Sequence, residues 1–157
     1  MNPAPNVVKV APIRKSVVVR RTPAEAFSIF TERITSWWPH KTHSLSKGEA
    51  ASVHMEPKAG GKVYELSTDG ERKEWGTLVS WDPPRGFVTT WHPGMDPAHP
   101  SEVEIRFTAV PEGTRVDLEH RNWEKVGAKA AEYRDGYDKG WVEVFERRFV
   151  EACAVGA

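Results

Sequence analysis

The 157-residue chain has a single cysteine, Cys153, so no internal disulfide can staple it. No His–Asp pattern surrounds that cysteine to activate it as a nucleophile. Neither sign of charge is in excess: 22 basic and 22 acidic side chains balance, and no global field draws the chain toward nucleic acid or an anionic membrane. No run approaches the roughly 20 apolar residues of a membrane span. The N-terminus, MNPAPNVVKVAP, lacks the charged start and apolar core of a secretion signal, so a soluble, cytoplasmic protein is expected. No Gly-rich loop opens a helix after a strand, and no Gly-x-Ser-x-Gly elbow is present. His40, His43, His54, His92 and His99 do not recur at metal-ligand spacing. The motifs therefore call for neither a metal nor a cofactor.

Tryptophan, by contrast, is plentiful, with seven in the chain. An indole N–H needs a partner when buried, so a tryptophan-rich interior reads either as core packing or as the wall of an aromatic pocket. The length fits one domain with a real core. Residues 1–11 read as a flexible N-terminal segment, and 12–157 as the domain.

Along the chain, Ile13 to Arg21 is a strand candidate. Thr22-Pro23-Ala24-Glu25 then announces a helix: Thr22 as N-cap, Pro23 at the first helical position, Glu25 completing a capping box. An apolar stripe continues to Trp37, with a break near Thr31 that makes two short helices as reasonable as one. From Ala51 to Arg121, six strand-like runs alternate with Gly/Pro turns. Trp75, Thr77, Val79 and Trp81 are expected on one face of their strand, and Phe87, Thr89 and Trp91 on one face of the next. Val103, Ile105 and Phe107, like Val116, Leu118 and His120, oppose charged neighbours, which predicts one wet and one covered sheet face. The cover is the last segment, from about Glu124 to Cys153, where Tyr137, Trp141, Phe145 and Phe149 recur every four residues. Gly136 and Gly140 in that helix predict a close approach to the sheet or a bend. The predicted class is α+β: a curved antiparallel sheet of about seven strands wrapped around a long C-terminal helix, with two short helices after the first strand, a helix-grip fold.

This order of elements resembles the START-like (SRPBCC, birch-pollen-allergen-like) superfamily. Within it the chain is similar to bacterial proteins named for homology to the C-terminal domain of the activator of the ninety-kilodalton heat-shock protein's ATPase. The supporting residues are Glu56-Pro57, Gly60-Gly61, Glu65, Trp75-Gly76-Thr77, Trp81-Asp82-Pro83-Pro84-Arg85, Trp91, Gly113 to Val116, Leu118 to Arg121, Trp123-Glu124 and Gly140-Trp141. The resemblance implies a small hydrophobic or aromatic ligand held between sheet and helix, with stress response as a setting. It also brings a cyclase- or hydrolase-type enzyme and a co-chaperone-like interaction domain into view. Nothing in the chain corresponds to the separate N-terminal domain through which the eukaryotic co-chaperone binds its partner.

The cavity wall is expected from Trp75, Trp81, Trp91 and Phe107 of the sheet and Tyr137, Trp141 and Phe145 of the helix. His120 shares the covered face and either orients a ligand, moves a proton, or is a core histidine satisfied internally. Glu65 shares a face with Val63 and is either a pocket carboxylate or a paired, exposed one. Trp37, Trp38 and His43 follow the short helices where such a fold opens, as mouth residues or as structural caps.

Overall fold

The computed structural model describes residues 10–40, 42–46 and 50–155; of the expected flexible segment, residues 1–9 lie outside them. Seven strands are formed: β1 (Ile13–Val19), β2 (Ala50–Met55), β3 (Lys62–Ser67), β4 (Arg72–Asp82), β5 (Gly86–Trp91), β6 (Ser101–Val110) and β7 (Gly113–Arg121). They make one curled antiparallel sheet in the order β1-β7-β6-β5-β4-β3-β2. β2 to β7 is thus an unbroken meander, and β1 closes against its last strand.

The Thr22 cap is formed as the sequence predicts. The Thr22 hydroxyl accepts from the Glu25 N–H, and the Glu25 carboxylate accepts from the Thr22 N–H, starting α1 (Pro23–Phe30). Thr31 ends α1, its hydroxyl donating to the Phe27 carbonyl, and α2 (Ile34–Trp37) follows as a separate short helix. A 3-10 turn (Trp123–Val126) leads into the long C-terminal helix: α3 (Ala130–Trp141), a π-helical stretch (Val142–Phe149) and α4 (Val150–Ala154). No helix among the described residues is long and apolar enough to cross a membrane.

Parity holds in β6 and β7. Val103, Ile105, Phe107, Val116, Leu118 and His120 are buried, while on the outer face Arg121 is clasped by Glu102, Glu104 and Glu119. Parity fails in β4. Its pairing slips once against β3, at Val63/Tyr64, and once against β5, at Leu78/Ser80. Each slip is a bulge that inserts an extra residue and shifts the alternation. Trp75 and Leu78 are buried and Trp81 half-buried, whereas Val79 is 54% exposed, so Thr77 and Val79 do not share the tryptophans' face. Gly76, next to the first bulge, lets the β5 backbone approach closely, since a Cβ there would lie 1.8 Å from the Thr90 carbonyl oxygen. Neither glycine of α3 marks a close approach to the sheet. Nothing lies within 4 Å of a Cβ at Gly136, and at Gly140 it would meet His43 of the loop, not the sheet.

Candidate functional site: a tryptophan-walled cavity

A half-open cavity of about 200 Å³ lies between the sheet, the C-terminal helix and the loop after α2. Trp38, Trp75, Trp91 and Trp141 form its aromatic wall, Tyr137, Gly140 and Val144 the helix side, and Pro93 and Thr42 to Leu45 the rim. The four indoles close a ring of contacts, with centroids 4.8 Å apart for Trp38–Trp75, 5.4 Å for Trp75–Trp91, 5.5 Å for Trp91–Trp141 and 6.2 Å for Trp38–Trp141.

Three of these indoles are tied down by their N–H groups. Trp38 donates to the His43 carbonyl (2.8 Å), Trp75 to Glu65 Oε1 (2.7 Å) and Trp141 to His120 Nδ1 (3.0 Å). Glu65 is fully buried behind Trp75, not on the cavity surface. Burial alone would raise its pKa. The N–H groups of Leu45 (2.6 Å) and Ser46 (2.8 Å) together with the Trp75 indole outweigh that and hold the carboxyl below its ordinary value. This carboxylate therefore fastens the rim loop to β3 and fixes one wall ring.

His120 is likewise fully buried and fully engaged. Ser101 Oγ donates to the Trp91 carbonyl (2.7 Å), so its oxygen accepts a hydrogen bond from His120 Nε2–H (2.7 Å), and Nδ1 is left to accept from Trp141. The neutral Nε2–H tautomer satisfies every atom in the chain Trp141–His120–Ser101–Trp91. Burial pushes the His120 pKa down to about 3. The backbone carbonyl of His120 also accepts the Trp123 indole N–H (3.0 Å). His120 thus couples helix to sheet and presents no free atom to a ligand.

Among the described residues, the titratable groups that line the cavity are His43 and Tyr137. Burial lowers the His43 pKa, with Glu143 acting against the shift, so the imidazole is neutral near pH 7; its Nδ1 lies 2.7 Å from the Thr42 hydroxyl. Burial raises the Tyr137 pKa, partly countered by the Trp91 indole N–H, and its hydroxyl donates to the Pro93 carbonyl (3.0 Å).

Of the residues picked out from the sequence, Trp38, His43, Trp75, Trp91, Tyr137 and Trp141 meet around the cavity. Trp37, Trp81, Phe107 and Phe145 lie elsewhere, in contact with the cluster of phenylalanine rings described below. Trp37 donates its N–H to the Ile29 carbonyl (2.7 Å), and Phe145 is fully buried against Phe149. Sequence reasoning did not single out Ser101, Leu45, Pro93 or Val144 for the site. Of these, only Val144 sits beside the aromatic stripe in sequence, next to Phe145. Ser101 lies 19 residues before His120, and only strand pairing joins them.

A curled sheet gripping a C-terminal helix over such a cavity defines a helix-grip protein of the START-like superfamily. The model of the family described as Activator of Hsp90 ATPase homolog 1-like protein matches residues 20–154, and the chain belongs to that family. No curated protein matches it. Among solved structures it is similar to an anthrahydroquino-gamma-pyrone synthase, Txn09, with 33% identity over 92% of this chain and 97% of that one, TM-score 0.62. It is also similar to CalC, a self-sacrificing resistance protein from Micromonospora echinospora, with 30% identity over 94% and 96% of the two chains, TM-score 0.65. The protein MLL2253 from Mesorhizobium loti shares the fold at 16% identity, 94% and 99% coverage, TM-score 0.66.

Proposed function

We propose that the protein binds a small, flat, hydrophobic or aromatic molecule between the sheet and the C-terminal helix. One observation carries this reading: a half-open cavity of about 200 Å³ whose wall is four indoles, three of them anchored by their N–H groups. Anchored rings cannot slide inward to fill the space, so the hollow persists without its ligand. An apolar cavity of roughly 150 Å³ suffices for benzene, so this one suits a fused bicyclic ring, with larger skeletons extending through its open side. The fused-ring class in the synthase's name suits such a wall. Native mass spectrometry tests the reading: a defined small mass is expected on the purified protein, released on denaturation and lost in Trp75→Ala. A protein that carries no such mass and shows no change in tryptophan fluorescence on titration with naphthalene would overturn it.

A second reading is favoured by His43, a neutral imidazole on the cavity rim with Thr42 at its Nδ1. In an enzyme of cyclase or hydrolase type, this group is placed to take a proton from a bound substrate. His43→Ala would then abolish turnover of a bound aromatic ketone or ester while its affinity stayed within about threefold. Unchanged turnover would remove this reading and leave binding alone.

A further inference from the structure

The polar side-chain atoms of the cavity wall are already committed within the protein. Trp38 donates its N–H to the His43 carbonyl, Trp75 to Glu65 and Trp141 to the His120 ring. The fourth wall indole, Trp91, has the Tyr137 hydroxyl as its partner, and that hydroxyl in turn donates to the Pro93 carbonyl. At the rim, Ser44 Oγ donates to the His40 carbonyl, and the Thr42 hydroxyl meets His43 Nδ1. Among the described residues that line the cavity, one side-chain nitrogen is left over, His43 Nε2. It belongs to the mouth and not to the depth: the four indoles are buried, whereas His43 is half-buried and its neighbour Leu45 is 37% exposed. That edge of the imidazole borders Gly140, with Nε2 3.8 Å from the point a Cβ there would occupy.

We infer that the ligand has two unlike ends: a bare aromatic hydrocarbon end that enters first, and a neutral hydroxyl, as in a phenol, held at the mouth by His43 Nε2. The inference rests on the ligand-binding reading above. A polar atom carried into the depth would lose its water and find no partner, because every indole N–H and the Tyr137 hydroxyl are taken. At the mouth, a hydroxyl suits the imidazole in either neutral tautomer, since it both donates and accepts. The polar end is neutral because no Lys or Arg lines the cavity to hold an anion. The wall thus selects by exclusion, and His43 fixes which way round the ring lies.

The test uses naphthalene, 2-naphthol and 2,6-dihydroxynaphthalene, which share one fused skeleton and carry no hydroxyl, one, and one at each end. Each is titrated by calorimetry into the full-length protein and its His43→Phe variant, which keeps a ring at the mouth and removes the nitrogen. In the unsubstituted protein, 2-naphthol should bind about tenfold more tightly than the diol, whose second hydroxyl is forced into the depth. In His43→Phe, the affinity for 2-naphthol relative to naphthalene should fall about fivefold. The His43 Nε2 ¹⁵N resonance of the unsubstituted protein should move with 2-naphthol and not with naphthalene, a readout that stands if the variant fails to fold. Equal affinity for 2-naphthol and the diol overturns the inference and leaves ligand binding intact. So does a first hydroxyl to which neither the affinity ratio nor the resonance responds. If none of the three binds, both readings fail.

Discussion

The two halves of the interior are built from different rings. All six phenylalanines, Phe27, Phe30, Phe87, Phe107, Phe145 and Phe149, join one cluster in which α1, β5, β6 and the π-helical stretch meet. Four of the seven tryptophans surround the cavity instead. A phenyl ring has no polar atom to satisfy, so it turns until the space is filled; Phe27 meets Trp81 edge-on at 5.1 Å and Phe30 meets Phe149 at 5.0 Å. An indole with its N–H fixed to a carbonyl, a carboxylate or an imidazole has given up that freedom. The difference teaches how one sheet and one helix enclose both a solid core and a hollow. Filling is left to rings that can rotate, and three of the four rings that frame the hollow cannot.

Substitutions should separate the halves. Phe30→Ala should cost about 3–5 kcal/mol of stability in urea unfolding, the largest effect expected. A much smaller loss would mean that the phenylalanine half is not the solid one. The second expected effect is acidification. The His120 pKa is about 3 in the fold against an ordinary 6.5, so below pH 6.5 the unfolded chain binds a proton the native state refuses. Stability then falls as pH drops, by roughly 3 kcal/mol between pH 6.5 and 4. In His120→Gln this slope should flatten. Glu65 contributes in a lower window: its carboxyl sits below the ordinary 4.5, so its stabilisation is present above that value and is lost as pH falls beneath it.

Trp141→Phe should cost less than the phenylalanine truncation, about 1–3 kcal/mol, because it leaves His120 Nδ1 buried without a donor. Its effect on ligand affinity should exceed that of Phe30→Ala at a temperature where both variants are folded, and the opposite order would break the division between core and frame. Gly140→Ala gives the smallest effect, a gain of about 0.5–1 kcal/mol. The added Cβ would rest 3.7 Å from His43 Cδ2, an ordinary contact. A melting temperature lower than that of the unsubstituted protein would show that the rim cannot accept a methyl group.

Much of this fold was legible in local patterns. The Thr22–Glu25 capping box, the meander and the buried faces of β6 and β7 follow from residue order alone, because caps and alternation are properties of neighbouring residues. β4 was misread because its alternation depends on pairing partners. The signal present in the sequence was Gly76, a glycine inside a strand, where the backbone of Thr90 leaves no space for a Cβ. Around the cavity, the identity of the wall indoles was legible and their anchoring was not. Nothing near His120 in sequence announces Ser101, and nothing near Glu65 announces that the N–H groups of Leu45 and Ser46 meet its carboxylate. Such partnerships belong to tertiary packing.

Tyr137, Trp141, Phe145 and Phe149 follow one another at intervals of four, a spacing that overshoots a 3.6-residue turn and undershoots a π turn. The angular drift gained from Tyr137 to Trp141 within α3 is therefore reversed from Trp141 to Phe149, where the helix is wide. Phe145 and Phe149 stack there with their rings 5.8 Å apart and 2° from parallel. The widened turns act as a phase correction, letting one straight line of rings serve first the hollow and then the solid half. In an ordinary α-helix each four-residue step would instead overshoot a turn by about 40°, and over two steps from Trp141 that drift would carry Phe149 away from the core it now closes.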